Sequence, residues 1–231
     1  MSGLQPLKSG LLATRVADEL RRAIFSGHFA PGSQLLEAHL AKELQVSQTT
    51  VREALVQLDH VGLVERFPNK GTYVTKLTDA EVRDRLALRR LLEGFAWSEA
   101  AKRMTPEDFK ELEEQLNKIE EASRADDFPA DADFELEFHK RIWEKSGNPT
   151  LCEMLEKLSP PLFAYMTIRR RERGQTLQGA RSRHEAVIKA LKRGDPDQLA
   201  GILDEHLSSY GELAEGLPVG LPLKAGHLAP A

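Results

Sequence analysis

Cysteine is almost absent from this chain. Of 231 residues only Cys152 is a cysteine, so no disulfide can form within it. A reducing, cytoplasmic home is the matching expectation. Long apolar runs are missing as well. None reaches the roughly 20 residues that a membrane-crossing helix needs, so no membrane partner is expected. The opening MSGLQPLKSGLLATRV lacks the long apolar centre and small-residue cleavage site of a secretory leader. Short repeats and low-complexity tracts are missing too. What remains is an ordinary globular composition, 41% apolar and 29% charged, with enough chain for a core in each half.

A strong charge bias is also lacking, since the net charge is only −4. That value hides an asymmetry. Residues 1–78 carry nine Lys/Arg against seven Asp/Glu, a net +2; the rest carries 23 against 29, a net −6. A weakly basic first domain permits a nucleic-acid partner without proving one.

The amino-terminal third alternates helix signals with turn signals. Residues 1–10 read as a loose arm. A helix is expected from near Thr14, with Val16, Leu20 and Ile24 at helical spacing, ending before Gly27 and Pro31-Gly32. A short helix over Glu37–Leu44 buries Leu40, Ala41 and Leu44. Ser47 then caps a helix of about 13 residues, with Val51, Ala54, Leu55 and Leu58 on its buried face. Gly62 closes it. LVERF, the turn Pro68-Asn69-Lys70-Gly71 and TYVTKL read as a β-hairpin. Helix, helix, turn, helix, hairpin is the order of a winged helix-turn-helix, spanning 11–78.

In such a unit the helix after the turn offers its first residues to base edges in the major groove. Those residues are Gln48, Thr49, Thr50 and Arg52. Arg52 suits guanine or phosphate, and Gln48 suits adenine. Thr49 and Thr50 can donate to phosphate at the helix start. Asn69, Lys70 and Gly71 form the hairpin tip, where they can reach the minor groove or a phosphate. The same polar residues also suit a plain solvated helix face; the hairpin that follows weighs against that reading.

Residues 14–76, with LRRAI, PG, LA, VS..TVREAL, GLVER and GTYV in order, resemble the GntR family of bacterial regulators. The resemblance implies a homodimer on a short palindromic double-stranded DNA operator, released by a small effector. Family members commonly carry Arg where this chain has Gln48, and often Pro where it has Thr50. The operator sequence is therefore expected to be unusual.

Beyond residue 78 no strand signals remain. Helices are expected near 79–103, 106–123, 130–146, 149–171, 177–193 and 196–213, making the chain mainly α, with an all-helical second domain over 79–214. The first of them carries Leu88, Leu91, Leu92, Phe95 and Glu99 at amphipathic spacing. The Gly/Pro-rich tail, 215–231, reads as disordered. Three histidines stand out: His139, His184 and His206. Glu135 and His139 lie four apart, on one helix face. Three imidazoles and a carboxylate suit a divalent ion. By spacing alone, three unrelated surface or hydrogen-bonded histidines are the better reading.

LRRLLEGFAWSEAA, FHKRIWEKSGNP, RHEAVIKALKRGD and DEHL, within residues 82–211, resemble the FCD ligand-binding domain of the FadR-type branch. In its metal-binding members an Asp stands four residues before the first histidine, and two later histidines complete the site. The resemblance implies a metal at Glu135, His139, His184 and His206: zinc first, nickel or manganese as alternatives. Glu135 is one methylene longer than Asp, reaching about 1.5 Å further, so it binds directly only if the packing compensates, and otherwise through water. A fatty-acyl-CoA ligand is not expected, because that branch lacks these histidines. The implied effector is a small carboxylate, with Arg89 at the position that grips it; the plain alternative pairs Arg89 or Arg90 with Glu93 on the surface. Asn148 reads as a helix cap, and Arg169–Arg173 as a solvated helix end. The expected function is an effector-responsive DNA-binding repressor, not an enzyme. A metal-dependent enzyme and a purely structural metal are the alternatives.

Overall fold

The structure, a computed structural model, describes residues 10–211. The expected tail lies outside the described residues, as does all of the expected arm except Gly10. Three helices, α1 (Gly10–Phe25), α2 (Glu37–Glu43) and α3 (Gln48–His60), share the first unit with a small antiparallel sheet whose first strand lies between α1 and α2. Its strands are β1 (Gln34–Leu35), β2 (Val64–Phe67) and β3 (Gly71–Val74), in the order β1-β3-β2. Six helices follow among the described residues: α4 (Asp79–Ala101), α5 (Pro106–Arg124), α6 (Phe128–Lys145), α7 (Pro149–Glu172), α8 (Ala180–Arg193) and α9 (Pro196–Gly211). The fold is therefore mainly α, a winged helix-turn-helix joined to a helical bundle.

Local chemistry sets the helix starts. Ser47 accepts the Thr50 backbone N–H before α3. Thr78 and Glu81 form a reciprocal capping box on α4, as Thr105 and Asp108 do on α5. Asp127 and Asn148 cap α6 and α7. Three helix starts differ from expectation, among them α6, which begins at Phe128 rather than near 130. α1 begins at Gly10 rather than near Thr14, because Ala13 is already buried in the first turn. α8 begins at Ala180, since Gly179 sits at φ +81° and interrupts the helix before it.

The apolar residues of α4 divide: Leu88, Leu91 and Phe95 are each about half exposed, while Leu92 packs against the core. The buried face carries Val82, Leu86, Arg89, Glu93, Ala96, Trp97 and Ala100. Charged residues go inward here as a pair, Arg89 Nε donating to Glu93 Oε1 at 2.6 Å.

The two halves pack against each other. Ala132, Leu136, Phe163 and Ala164, from α6 and α7, join the apolar cluster built by α1–α3 and the sheet. Arg21 and Arg22 of α1 both pair with Asp133 of α6. Gly62 lies against α7, where Pro161 interrupts the helical hydrogen bonding. Its φ is +74°, and an added Cβ would stand 3.0 Å from the Lys157 carbonyl oxygen. Glycine is required there for conformation and for space.

Candidate nucleic-acid interface and metal centre

α3 presents Gln48, Thr49 and Arg52 to solvent, while Val51, Ala54, Leu55 and Leu58 are buried beneath it. Thr50 is partly withdrawn: its hydroxyl lies 2.8 Å from the Ser47 hydroxyl. Arg52 is exposed yet engaged, its Nη2 donating to Glu37 Oε2 at 2.6 Å. That bond holds the Glu37 carboxyl below its ordinary pKa. The guanidinium is thereby tied to α2, a contact between helices that sequence spacing did not reveal. At the hairpin tip Asn69 takes φ +60° and Gly71 φ +104°. The Lys70 carbonyl accepts from Gln34 Nε2 and Tyr73 Oη, both at 3.1 Å, which fixes the tip and leaves the Lys70 side chain exposed.

The three histidines converge. His139 from α6, His184 from α8 and His206 from α9 each offer a ring nitrogen, and these nitrogens lie within 4.8 Å of one another. His139 and His184 are fully buried and His206 nearly so. Nε2 of His206 and Nε2 of His139 are 3.0 Å apart. His184 Nδ1 is 2.8 Å from the Ala180 carbonyl. A carbonyl only accepts, so Nδ1 carries the proton and Nε2 carries the lone pair. That Nε2 is buried and has no hydrogen-bond partner. Burial lowers the pKa of all three imidazoles, the direction that metal ligation requires. Three ligand nitrogens around a tetrahedral zinc stand about 3.4 Å apart. The donor set fits a divalent ion with a small contraction.

The other expected site residues fall around this cluster. Glu135 is buried, with Oε1 4.0 Å from His184 Nε2, outside the group of three close nitrogens. Burial opposes its ionisation, but His184, Arg170, Arg183 and Arg89 outweigh that and hold its carboxyl below the ordinary range. Arg89 is fully buried and lies over the Phe163 ring, 5.0 Å from its centre. The pairing with Glu93 is present, but the pair is internal rather than on the surface.

Some of the surroundings escaped the sequence reading. Glu93 Oε2 lies 3.8 Å from His139 Nδ1. Trp97 and Trp143 stack near the His139 ring at 6.3 and 6.2 Å. Asp131 is buried one turn before Glu135; burial, then the Glu135 charge, push its carboxyl up to about 8. The spacing 131, 135, 139 was the available signal, since it marks one helix face. Asn148 caps α7 as expected. The arginine cluster is not a merely solvated helix end. Arg169 engages Tyr165 and Asp79, Arg171 reaches the Ser26 carbonyl at the end of α1, and Arg170 acts on Glu135.

Comparisons with known proteins agree with this architecture. Residues 12–74 match the family described as bacterial regulatory proteins, gntR family, and residues 84–209 match the FCD domain. The HTH-type transcriptional regulator McbR of Escherichia coli K12 is 28% identical over 217 residues, covering 90% of this chain and 96% of its own. The gluconate operon transcriptional repressor of Bacillus licheniformis is 29% identical over 211 residues, covering 88% and 85%. The solved structure of E. coli McbR/YncC superposes with a TM-score of 0.73 at 26% identity, covering 88% of this chain and 96% of that one. Among the described residues no helix is long and apolar enough to cross a membrane.

Proposed function

Because the chain belongs to the GntR family of transcription regulators and its second half is an FCD effector domain, we propose that it is a cytoplasmic repressor released from its operator by a small organic acid. The acid is captured at a divalent metal, zinc before nickel or manganese, held by His139, His184 and His206. The observation that carries this reading is the convergence of three buried imidazoles from three helices. A metal bound there supplies a Lewis-acidic centre with positions open to a carboxylate.

The chain's own residues do the rest. Arg89, fixed by Glu93 and Phe163, provides the cation that orients the acid. Glu135 stands back from the nitrogens and joins the metal through water. α3, with Gln48, Thr49, Thr50 and Arg52, reads the operator, and the tip at Asn69, Lys70 and Gly71 contacts the adjoining backbone. The chain divides in function at residue 78. A palindromic operator needs two copies of α3, and the outward stripe Leu88, Leu91 and Phe95 offers a self-complementary surface for a homodimer. The relative named as a gluconate operon repressor supports an organic-acid effector.

Elemental analysis of the purified protein, with operator binding measured against a panel of organic acids, tests the proposal. One equivalent of divalent metal and acid-dependent release are expected. Metal without any acid response would favour a structural metal, a reading that the near-complete burial of the imidazoles also supports. Turnover of an acid would favour the enzyme alternative.

A further inference from the structure

Glu93 has no part of its own in the reading above beyond holding Arg89, yet its placement is unusual. An ion pair four residues apart on a helix normally sits in water and contributes little. This one is fully buried, with 0% of either side chain exposed. Burying a pair carries a desolvation cost that the mutual attraction often fails to offset. Burial pushes the Glu93 carboxyl up, and Arg89 opposes that. A structural salt bridge is therefore a poor account of why an acid is kept here.

The geometry supplies a better one. Glu93 Oε1 accepts from Arg89, which leaves Oε2 turned toward His139 Nδ1 at 3.8 Å. That Nδ1 is buried and has no hydrogen-bond partner. The opposite ring nitrogen, Nε2, faces His206 and the centre of the cluster. Metal-binding histidines characteristically give their outer N–H to a carboxylate or carbonyl, which fixes the tautomer and the ring. His184 already has such a partner in the Ala180 carbonyl. For His139 the carboxylate nearby is Glu93, which Trp143 also engages, and closing about 1 Å makes the bond.

We propose that Glu93 is a positioning residue for His139: it accepts the Nδ1 proton, turns the Nε2 lone pair to the metal, and is itself held by Arg89. The inference rests on the metal reading of the three histidines. Arg89 then touches both ligands of the sensor, the acid directly and the metal through Glu93. Metal and acid affinities are coupled through one guanidinium, and each raises the other by the same factor.

The test uses the full chain stripped of metal and titrated with Zn(II) against a chelator, then with Co(II) for its visible spectrum. Glu93→Ala is expected to weaken Zn(II) binding about 10- to 100-fold. It is also expected to remove a downfield-shifted His139 Nδ1–H signal from the NMR spectrum of the zinc form. Glu93→Gln, which keeps an acceptor oxygen, is expected to fall between Glu93→Ala and the parent protein and to shift the Co(II) bands. If a lone Arg89 charge prevents folding of either variant, the neutral pair Arg89→Gln/Glu93→Gln carries the same expectation of weakened metal. Unchanged affinity and spectrum in the variants, beside a parent that binds metal, overturn the role of Glu93 alone. A parent that binds no metal overturns the reading beneath it.

Discussion

Asp133 of α6 and Arg21 of α1 are joined by a 2.7 Å hydrogen-bonded ion pair that links the helical bundle to the DNA-binding unit. Arg22 reaches the second oxygen of the same carboxylate. On the opposite face of α6 stand Asp131, Glu135 and His139. One helix thus bears a histidine of the buried cluster on one side and the inter-unit clamp on the other. A two-state account of effector action needs an element that both sites bias, and α6 meets that description.

Asp133→Asn should separate sensing from response. We expect acid binding by calorimetry to stay within about threefold, while the acid-induced loss of operator affinity shrinks, since a typical coupling of about 1–3 kcal/mol passes through such contacts. An unaltered operator response would remove the clamp from the mechanism.

At the DNA surface, Arg52→Ala should reduce operator affinity by about 10- to 100-fold in a mobility-shift titration. Glu37→Gln should act in the opposite direction. It frees Arg52 from its 2.6 Å partner and withdraws a carboxylate from the phosphate backbone. Tighter binding with a steeper salt dependence is the expected result. Weaker binding would mean that Glu37 orients Arg52 rather than restrains it.

The outward stripe of α4 should govern assembly. Leu91→Glu places a charge at a half-exposed position, so the monomer should fold with a nearly unchanged melting temperature. Its sedimentation should report a monomer, and its operator affinity should drop because one α3 reads only one half-site. A dimeric Leu91→Glu protein would place the interface elsewhere.

Asp131 makes the metal-free protein pH-sensitive. Its folded pKa is raised to about 8, against about 3.9 for a free aspartate. Between those values the folded chain keeps a proton that the unfolded chain has lost. Stability therefore falls as pH rises from about 4 to about 8, at no more than about 1.4 kcal/mol per unit. Asp131→Asn should flatten that slope, raising the melting temperature at pH 8 and changing it little at pH 4. Parallel melting curves for the two proteins would contradict the assignment.

The DNA-binding unit was legible because its information is local. The buried positions from Val51 to Leu58, the Ser47 cap and the Pro-Asn-Lys-Gly turn each act within a few residues. β1 was not legible, because two residues carry no alternation. The inner face of α4 was not legible, for a physical reason. Hydrophobic periodicity assumes that charge faces water, and Arg89 with Glu93 breaks that assumption by pairing inside. The histidine cluster joins three helices whose ligands lie up to 67 residues apart, so spacing carried no sign of it; only the family resemblance did. The Asp133 clamp and the contact of Gly62 with α7 are equally non-local.

The depth of the histidine cluster bears on time as well as affinity. His139, His184 and His206 expose at most 3% of their surface, and the ring stacking of Trp97 and Trp143 adds a wall beside them. An ion held there can leave only when α6, α8 and α9 part, an opening that belongs to the slow end of protein motion. On the proposed reading the ion would therefore exchange slowly, and the organic acid would be the quicker variable for the protein to report.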